Sequence, residues 1–367
     1  MQNTATSNDS DAGSSPLPII ALTMGDAAGI GPEVVVRAAT NLQLRSICRP
    51  VAVGHADVLQ RAAQLTNTPL RIEEVADFET LADWQPAIPG NSDAQVLSCV
   101  KACGDDVADV PLGAIDARAG QAAYDCLVAA TKAALAGTIA GITTAPLNKA
   151  ALCSAGLDYP GHTEILGDVC GVDEFAMMLY LPPGDIVKSP NGLGVVHTTL
   201  HTSIASVPEL LSTELIAANI RLMDSFMQRV GCDAPRVGVC ALNPHAGEEG
   251  LFGDEEARLI APAVQQCQQA EIQSTGPIPA DALLRRAVGG EFDGVVAMYH
   301  DQGHIALKLI GFDRAVNITL GLPIVRTSPS HGTAFDIAGK GIASAAGMIE
   351  AAKIAVQLSL SGDSSTL

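Results

Sequence analysis

Positive charge is what this 367-residue chain has least of: 21 Lys and Arg stand against 40 Asp and Glu, a formal net charge of −19. So acidic a chain excludes nucleic acid and anionic membrane surfaces as main partners. An anionic small molecule stays possible, because the potential in a pocket is set locally. Aromatic residues are only 3%, too few for a base-stacking platform. No apolar run reaches the ~18 residues of a membrane span, and the alanine-rich stretch near Val128 is interrupted by Lys132. Met1 to Pro16 is rich in Ser, Asn, Asp and Gly, has no apolar core and precedes the first basic residue, Arg37, so no secretory signal is expected. The nine cysteines are odd in number, and Cys99 and Cys103, the closest pair, lack CxxC spacing. That pattern predicts reduced, mostly buried thiols rather than a disulfide framework. The expectation is a cytoplasmic protein with no nucleic-acid or membrane partner.

The hydrophobic content is 48%, which excludes global disorder, and the length suits two domains. Residues 1–17 read as a flexible tail. Beyond them, short Val- and Ile-rich runs alternate with helix-like stretches. Strands are predicted at Pro18–Thr23, Val51–Val53, Ile139–Ile142, Phe175–Leu181, Gly194–Thr198, Arg236–Leu242 and Gly294–Tyr299. Pro32 predicts a helix start through Ala39. A helix is predicted over Pro208–Val230, with Leu211, Leu215, Ala218, Leu222 and Phe226 as its apolar stripe. Such alternation means a layered α/β protein with a mixed or parallel sheet.

Several strands run into polar, Gly- or Pro-punctuated segments: Thr144-Ala145-Pro146-Leu147-Asn148-Lys149, Asn243-Pro244-His245-Ala246-Gly247 and Tyr299-His300-Asp301-Gln302-Gly303. Ligands of open α/β sheets bind beyond the carboxyl ends of strands, so function is expected there. Six of the eight histidines, His162, His197, His201, His245, His300 and His304, fall in or beside such segments. Three or four imidazoles from separate loops suit Zn²⁺ or a similar ion with one position left open. Gly25 to Glu33 is a glycine-rich strand-to-helix turn, yet neither a G-x-G-x-x-G fingerprint nor a P-loop occurs. From His331 to Gly341, glycines permit close approach to a ligand, and Asp336 could accept a hydrogen bond from a ribose hydroxyl. Lys149, Lys308, Arg314 and Arg326 lie in otherwise neutral stretches that read as loops, where each could bind phosphate or carboxylate.

Together these motifs resemble the 4-hydroxythreonine-4-phosphate dehydrogenase family of pyridoxal phosphate biosynthesis. The resemblance is carried by Thr23 to Glu33, Pro146 to Lys149, Tyr159-Pro160-Gly161-His162-Thr163-Glu164, Leu242 to Glu248, Gly276 to Asp281, Ala297 to Gly303, Val316 to Pro323 and Arg326-Thr327-Ser328. It runs from about Pro18 to the end of the chain. Met24 and Ala27 replace prolines common in the family, which relaxes a loop without removing a reactive group.

The resemblance implies two α/β/α domains flanking a cleft, of the isopropylmalate dehydrogenase type and not a Rossmann fold. The division is residues 18–143 plus 303–367 for the first domain and 144–302 for the second. It implies a homodimer whose site is shared between subunits, with NAD or NADP and a divalent metal (Zn, Mg or Co). His201, His245 and His300 match the metal ligands, His201 being preferred over nearby His197 because Ile204 and Val207 follow it at the family's spacing. His162, Thr163, Lys308, Asn317 and Arg326 match substrate contacts, and Gly332, Asp336 and Gly339 fall in a cofactor loop. No catalytic proton acceptor is assigned. The implied reaction is oxidation of 4-phosphooxy-L-threonine to 2-amino-3-oxo-4-phosphooxybutanoate, which loses CO₂ to give 3-amino-2-oxopropyl phosphate. Related enzymes oxidise D-threonate 4-phosphate or a cis-dihydrodiol dicarboxylate. A three-histidine metal hydrolase is the alternative from another class.

Overall fold

A computed structural model of the protein describes residues 16–83 and 95–361; the tail expected over residues 1–17 lies outside the described residues except for its last two. Twelve strands form a single sheet: β1 Ile19–Thr23, β2 Arg49–Gly54, β3 Leu70–Val75, β4 Gln95–Lys101, β5 Gly141–Thr144, β6 Ala176–Leu181, β7 Leu193–His197, β8 Val237–Cys240, β9 Ser274–Ile278, β10 Gly294–Ala297, β11 Val316–Leu320 and β12 Arg326–Pro329. Their spatial order is β3-β4-β2-β1-β5-β12-β11-β6-β7-β10-β8-β9. The first six are mutually parallel, and so are the last four. Between them β11 runs antiparallel to β12 and β6, and β6 runs antiparallel to β7. The two halves of the sheet therefore point in opposite directions, unlike the doubly wound sheet of a Rossmann fold. The layered α/β architecture with a cleft is the one expected from the sequence.

Strands buried on both faces split their side chains between two cores, because successive residues point to opposite sides. In β6, Met178 and Tyr180 join one core while Leu179 and Leu181 join another. On one face the core is continuous beneath the helices Gly31–Ala39, Thr213–Arg229, Ala261–Gln269 and Ala346–Leu360. On the other it is split. One cluster lies under the helices Ala117–Leu135, Lys149–Ser154 and His162–Cys170, and a second lies under Ala280–Val288 and His300–Gly311. The gap between these clusters falls over the central strands, where Asn317, Arg326, Met177 and Leu179 line a cavity.

The predicted helix over Pro208–Val230 is broken. Leu211 takes an extended conformation, and the Ser212 hydroxyl accepts from the Leu215 N–H at 3.1 Å, so a new helix begins at Thr213. Its buried face is Ile216, Ala217, Ile220, Met223, Phe226 and Met227, leaving Leu215 of the predicted stripe exposed. The periodicity was right and the phase was about one residue off. Three residues assigned to loops are in regular structure: Lys149 opens the helix Lys149–Ser154, Lys308 lies in the helix His300–Gly311, and Arg326 opens β12. All nine cysteines stand as free thiols, and six are buried.

Gly120 shows how tightly the layers meet. A Cβ there would lie 2.2 Å from the Ala151 carbonyl oxygen on the neighbouring helix. Alanine favours a helix interior by about 1 kcal/mol, yet overpacking costs about 1–3 kcal/mol or more. Gly120→Ala should therefore lower unfolding stability in a denaturant titration; a gain would show that the two helices can separate freely.

Candidate functional site

Arg326 is the centre of the cavity over the central strands. It is 2% exposed. One terminal nitrogen donates to Thr144 Oγ1 at 2.7 Å and the other to Thr319 Oγ1 at 3.1 Å, so its fork spans β5, β12 and β11. Its Nε has no partner, and no carboxylate forms an ion pair with it, among the described residues. Burial lowers its pKa to about 10, which still leaves it charged at neutral pH. A buried cation with no carboxylate in direct contact, Glu164 on the cavity wall acting on it only at longer range, is costly, and an anion supplied from outside relieves that cost.

The surrounding cavity, about 220 Å³, has the groups for such an anion. Asn148 accepts from the Ala151 N–H at 3.0 Å and so starts the helix whose first residue, Lys149, lines the cavity. His162 and Thr163 open the helix His162–Cys170 on the same wall. Burial, with the Arg326 charge beside it, holds the His162 imidazole well below its usual value. Asn317 contributes a buried Oδ1 with no partner among the described residues, an acceptor for an N–H or O–H of the ligand and not for its anionic oxygens. The structure thus brings together His162, Thr163, Asn317 and Arg326. Lys308 is half-buried one turn after His304 and does not line this cavity.

The histidines divide into two groups. His197 is buried, with Nδ1 donating to the Met177 carbonyl at 3.2 Å. Its Nε2 is then an acceptor, and takes a hydrogen bond from His304 Nδ1 at 3.0 Å. Burial pushes the His197 pKa down to about 4 and also lowers that of His304, so both rings stay neutral. Both ring nitrogens of His197 are thus engaged within the chain. His304 stacks on His300 at 3.8 Å between centroids and lines the cavity, a role that sequence reasoning did not single out although its i+4 spacing from His300 could have shown it.

His201 and His300 stand 5.8 Å apart by ring centroid, and both line a second cavity of about 420 Å³ as well as the first. Partial burial and the Lys149 charge lower the His201 pKa, favouring the neutral form that binds metal. Two imidazoles from separate loops suit a divalent cation, but one chain brings only these two together. His245 lines neither cavity, and among the described residues no three His, Cys, Asp or Glu side chains form a group that could hold a metal. His245 sits instead on an unusual turn. From His245 to Gly250 every φ is positive, between 46° and 93°, a left-handed conformation costing roughly 1–2 kcal/mol per non-glycine residue.

The loop from His331 to Gly341 docks on the first glycine-rich turn. The Ile30 N–H donates to the Thr333 carbonyl at 3.0 Å, and Glu33 Oε1 accepts from the Gly339 N–H at 2.8 Å. One helical turn on, Arg37 donates to the Gly341 and Ala343 carbonyls at 2.6 and 2.9 Å. Asp336 is exposed, and the Cβ position of Gly332 has no atom within 4 Å. His331 lines both the Arg326 cavity and another of about 260 Å³, and its buried Nε2 has no partner among the described residues. An orphaned nitrogen beside an open glycine, between two cavities, fits an extended ligand lying along this loop.

Residues 46–355 match the family model described as "Pyridoxal phosphate biosynthetic protein PdxA". The chain is 41% identical over 343 residues to D-threonate 4-phosphate dehydrogenase of Cupriavidus necator, covering 93% of this chain and 97% of that protein. It is 40% identical over 346 residues to 4-hydroxythreonine-4-phosphate dehydrogenase of Trichlorobacter lovleyi, covering 94% and 98%. A crystal structure of 4-hydroxythreonine-4-phosphate dehydrogenase from Klebsiella pneumoniae superposes with a TM-score of 0.79 at 40% identity, covering 93% of this chain and 99% of that one.

The cavity predicts anion binding independent of any reaction. Inorganic phosphate should raise the unfolding temperature of the protein. Arg326→Gln, which removes the charge, should abolish the shift. An equal shift in both proteins would place the anion elsewhere.

Proposed function

This chain belongs to the pyridoxal phosphate biosynthetic protein PdxA family, and on that premise we propose that it is a dehydrogenase oxidising the C3 alcohol of a four-carbon acid phosphorylated at C4, with 4-phosphooxy-L-threonine first among them. The observation that carries this reading is the buried Arg326 with its orphaned Nε, set beside Lys149, His162, Thr163 and Asn317 in one cavity. A phosphate dianion accepts several charge-assisted hydrogen bonds and meets that need better than a neutral alcohol. D-threonate 4-phosphate is the second reading, favoured by the Cupriavidus necator relative. It differs from the first only in having a hydroxyl where the other has an ammonium group.

A nicotinamide cofactor along the His331–Gly341 loop would accept the hydride, and a divalent cation held by His201 and His300 would withdraw charge from the alcohol oxygen. The chain's own part is positioning. Arg326 and Thr163 hold the substrate's anionic groups, Asn317 Oδ1 accepts from its hydroxyl or ammonium, and the neutral His304 offers a hydrogen-bond acceptor rather than a competing cation. The 3-oxo acid formed at C3 is a β-keto acid and loses CO₂ readily. The products are 3-amino-2-oxopropyl phosphate from the first substrate and dihydroxyacetone phosphate from the second.

His245 as the third ligand, donated across a homodimer interface, belongs to the same proposal. Ile305, Leu309 and Phe312 follow His300 at intervals of four and three residues along one helix face and are exposed, Leu309 by 80%. Leu251 and Phe252 are exposed beside the His245 turn. Apolar surface flanking both half-sites is what a shared interface requires. Lys308, on the same helix, is a candidate to reach the partner's cavity.

Two measurements test this reading. Reduced nicotinamide formation should be observed with the phosphorylated acids. Removing the phosphate should lower kcat/KM on the order of 100-fold, equivalent to ~3 kcal/mol of lost charge-assisted bonds. Equal values for both alcohols, or preference for a cis-dihydrodiol dicarboxylate, would remove the phosphorylated substrate. In metal analysis, His201→Ala should lose the divalent ion and His197→Ala should keep it; the reverse result would exchange their roles.

A further inference from the structure

We propose that Glu256 is a positioning residue whose carboxylate clamps the left-handed turn carrying His245 and so sets the reach of that imidazole. Glu256 is 5% exposed and forms no ion pair among the described residues. Its acceptors are spent on backbone and amide donors at one place. Oε1 accepts from the Leu242 N–H at 2.9 Å and the Asn243 N–H at 2.7 Å. Oε2 accepts from Asn243 Nδ2 at 3.0 Å, and the same amide nitrogen donates to Glu255 Oε2 at 2.7 Å. These contacts fix Leu242 and Asn243, the second and third residues after β8, from which the chain enters the positive-φ run at His245.

The turn is fitted to this carboxylate. A Cβ on Gly247, whose φ is +79°, would lie 2.8 Å from Glu256 Oε2 and 2.9 Å from the Gly253 carbonyl. Glu256 also begins a π-helical turn, Glu256–Ile260, a local irregularity of the kind found at functional positions. A strained turn persists only where its surroundings over-determine it. Gln302 adds a second tie: it accepts from the Met298 N–H at 2.7 Å and donates to the Ala241 carbonyl at 2.8 Å. The strand ends that lead to His245 and His300 are thereby held in register within one chain. A buried anion fully committed to the approach of a solvent-exposed histidine is hard to explain by packing alone. Its role follows if His245 must arrive at a fixed position, and this rests on the metal reading proposed above.

Cobalt(II) titration of metal-free dimer, followed by its visible spectrum, tests the proposal together with amide exchange over residues 242–250. Glu256→Ala should weaken cobalt binding 10- to 100-fold, as loss of a group that orients a ligand does, and should speed that exchange. Glu256→Gln, which keeps the Oε1 acceptor, should restore binding to within a few-fold while circular dichroism shows both variants folded. Unchanged cobalt affinity and spectrum in Glu256→Ala, or unchanged exchange, overturns the clamp. His245→Ala separates the premise: it should lose cobalt with exchange at Leu242 and Asn243 unaltered. If cobalt binding survives His245→Ala, the ligand assignment falls; faster exchange in Glu256→Ala then still upholds the clamp, and unaltered exchange overturns it.

Discussion

A guanidinium buried with no carboxylate in direct contact is the constraint around which this molecule is organised. Arg326 keeps its charge while held by two threonine hydroxyls from neighbouring strands. Leaving such a group partly satisfied costs stability that a filled core would not. The cost is tolerable because the group is poised for an anion from solution. In a chain with net charge −19, long-range attraction cannot gather anions, so recognition depends on short-range pairing in this one cavity.

The sheet explains why that cavity exists. Where the strand direction reverses, β12 and β11 bring polar residues to one face beside Met177 and Leu179 of β6, and the helices over that face belong to two separate clusters. A continuous helical layer would have to cover Arg326 and Asn317 with apolar surface. The same reversal sends the loops after β7 and β10 towards the gap, bringing His201 and His300 to the edge of the cavity. The interlocked pair His197 and His304 lies behind them and keeps the local charge neutral.

The sequence revealed the site more readily than the strands that carry it. Seven of the parallel and central strands are short, mostly apolar runs, several of them rich in Val and Ile, and all are legible in the sequence. β3, with Arg71, Glu73 and Glu74, is a charged edge strand, β4 has its apolar run interrupted by Ser98, and β9 contains Pro277, so none of the three shows a clear apolar pattern. β11 and β12 were missed for a reason tied to function: Asn317, Thr319, Arg326, Thr327 and Pro329 interrupt the hydrophobic pattern because polar residues there serve the cavity or its neighbouring contacts. The Gly-rich segments at both ends of the chain were recognisable individually. Their docking through Glu33 and Arg37 depends on contacts spanning some 300 residues, which no local pattern encodes. The same holds for the Glu256 contacts with Leu242 and Asn243, since nothing in a Glu-Glu pair announces a turn clamp.

The most direct test is a crystal structure of the protein with 4-phosphooxy-L-threonine bound. The account predicts a phosphate oxygen at charge-assisted hydrogen-bond distance from Arg326 Nε, about 2.7–2.9 Å, with Asn317 Oδ1 accepting from the substrate's hydroxyl or ammonium. A phosphate bound away from Arg326, with that nitrogen still unpartnered, would contradict it.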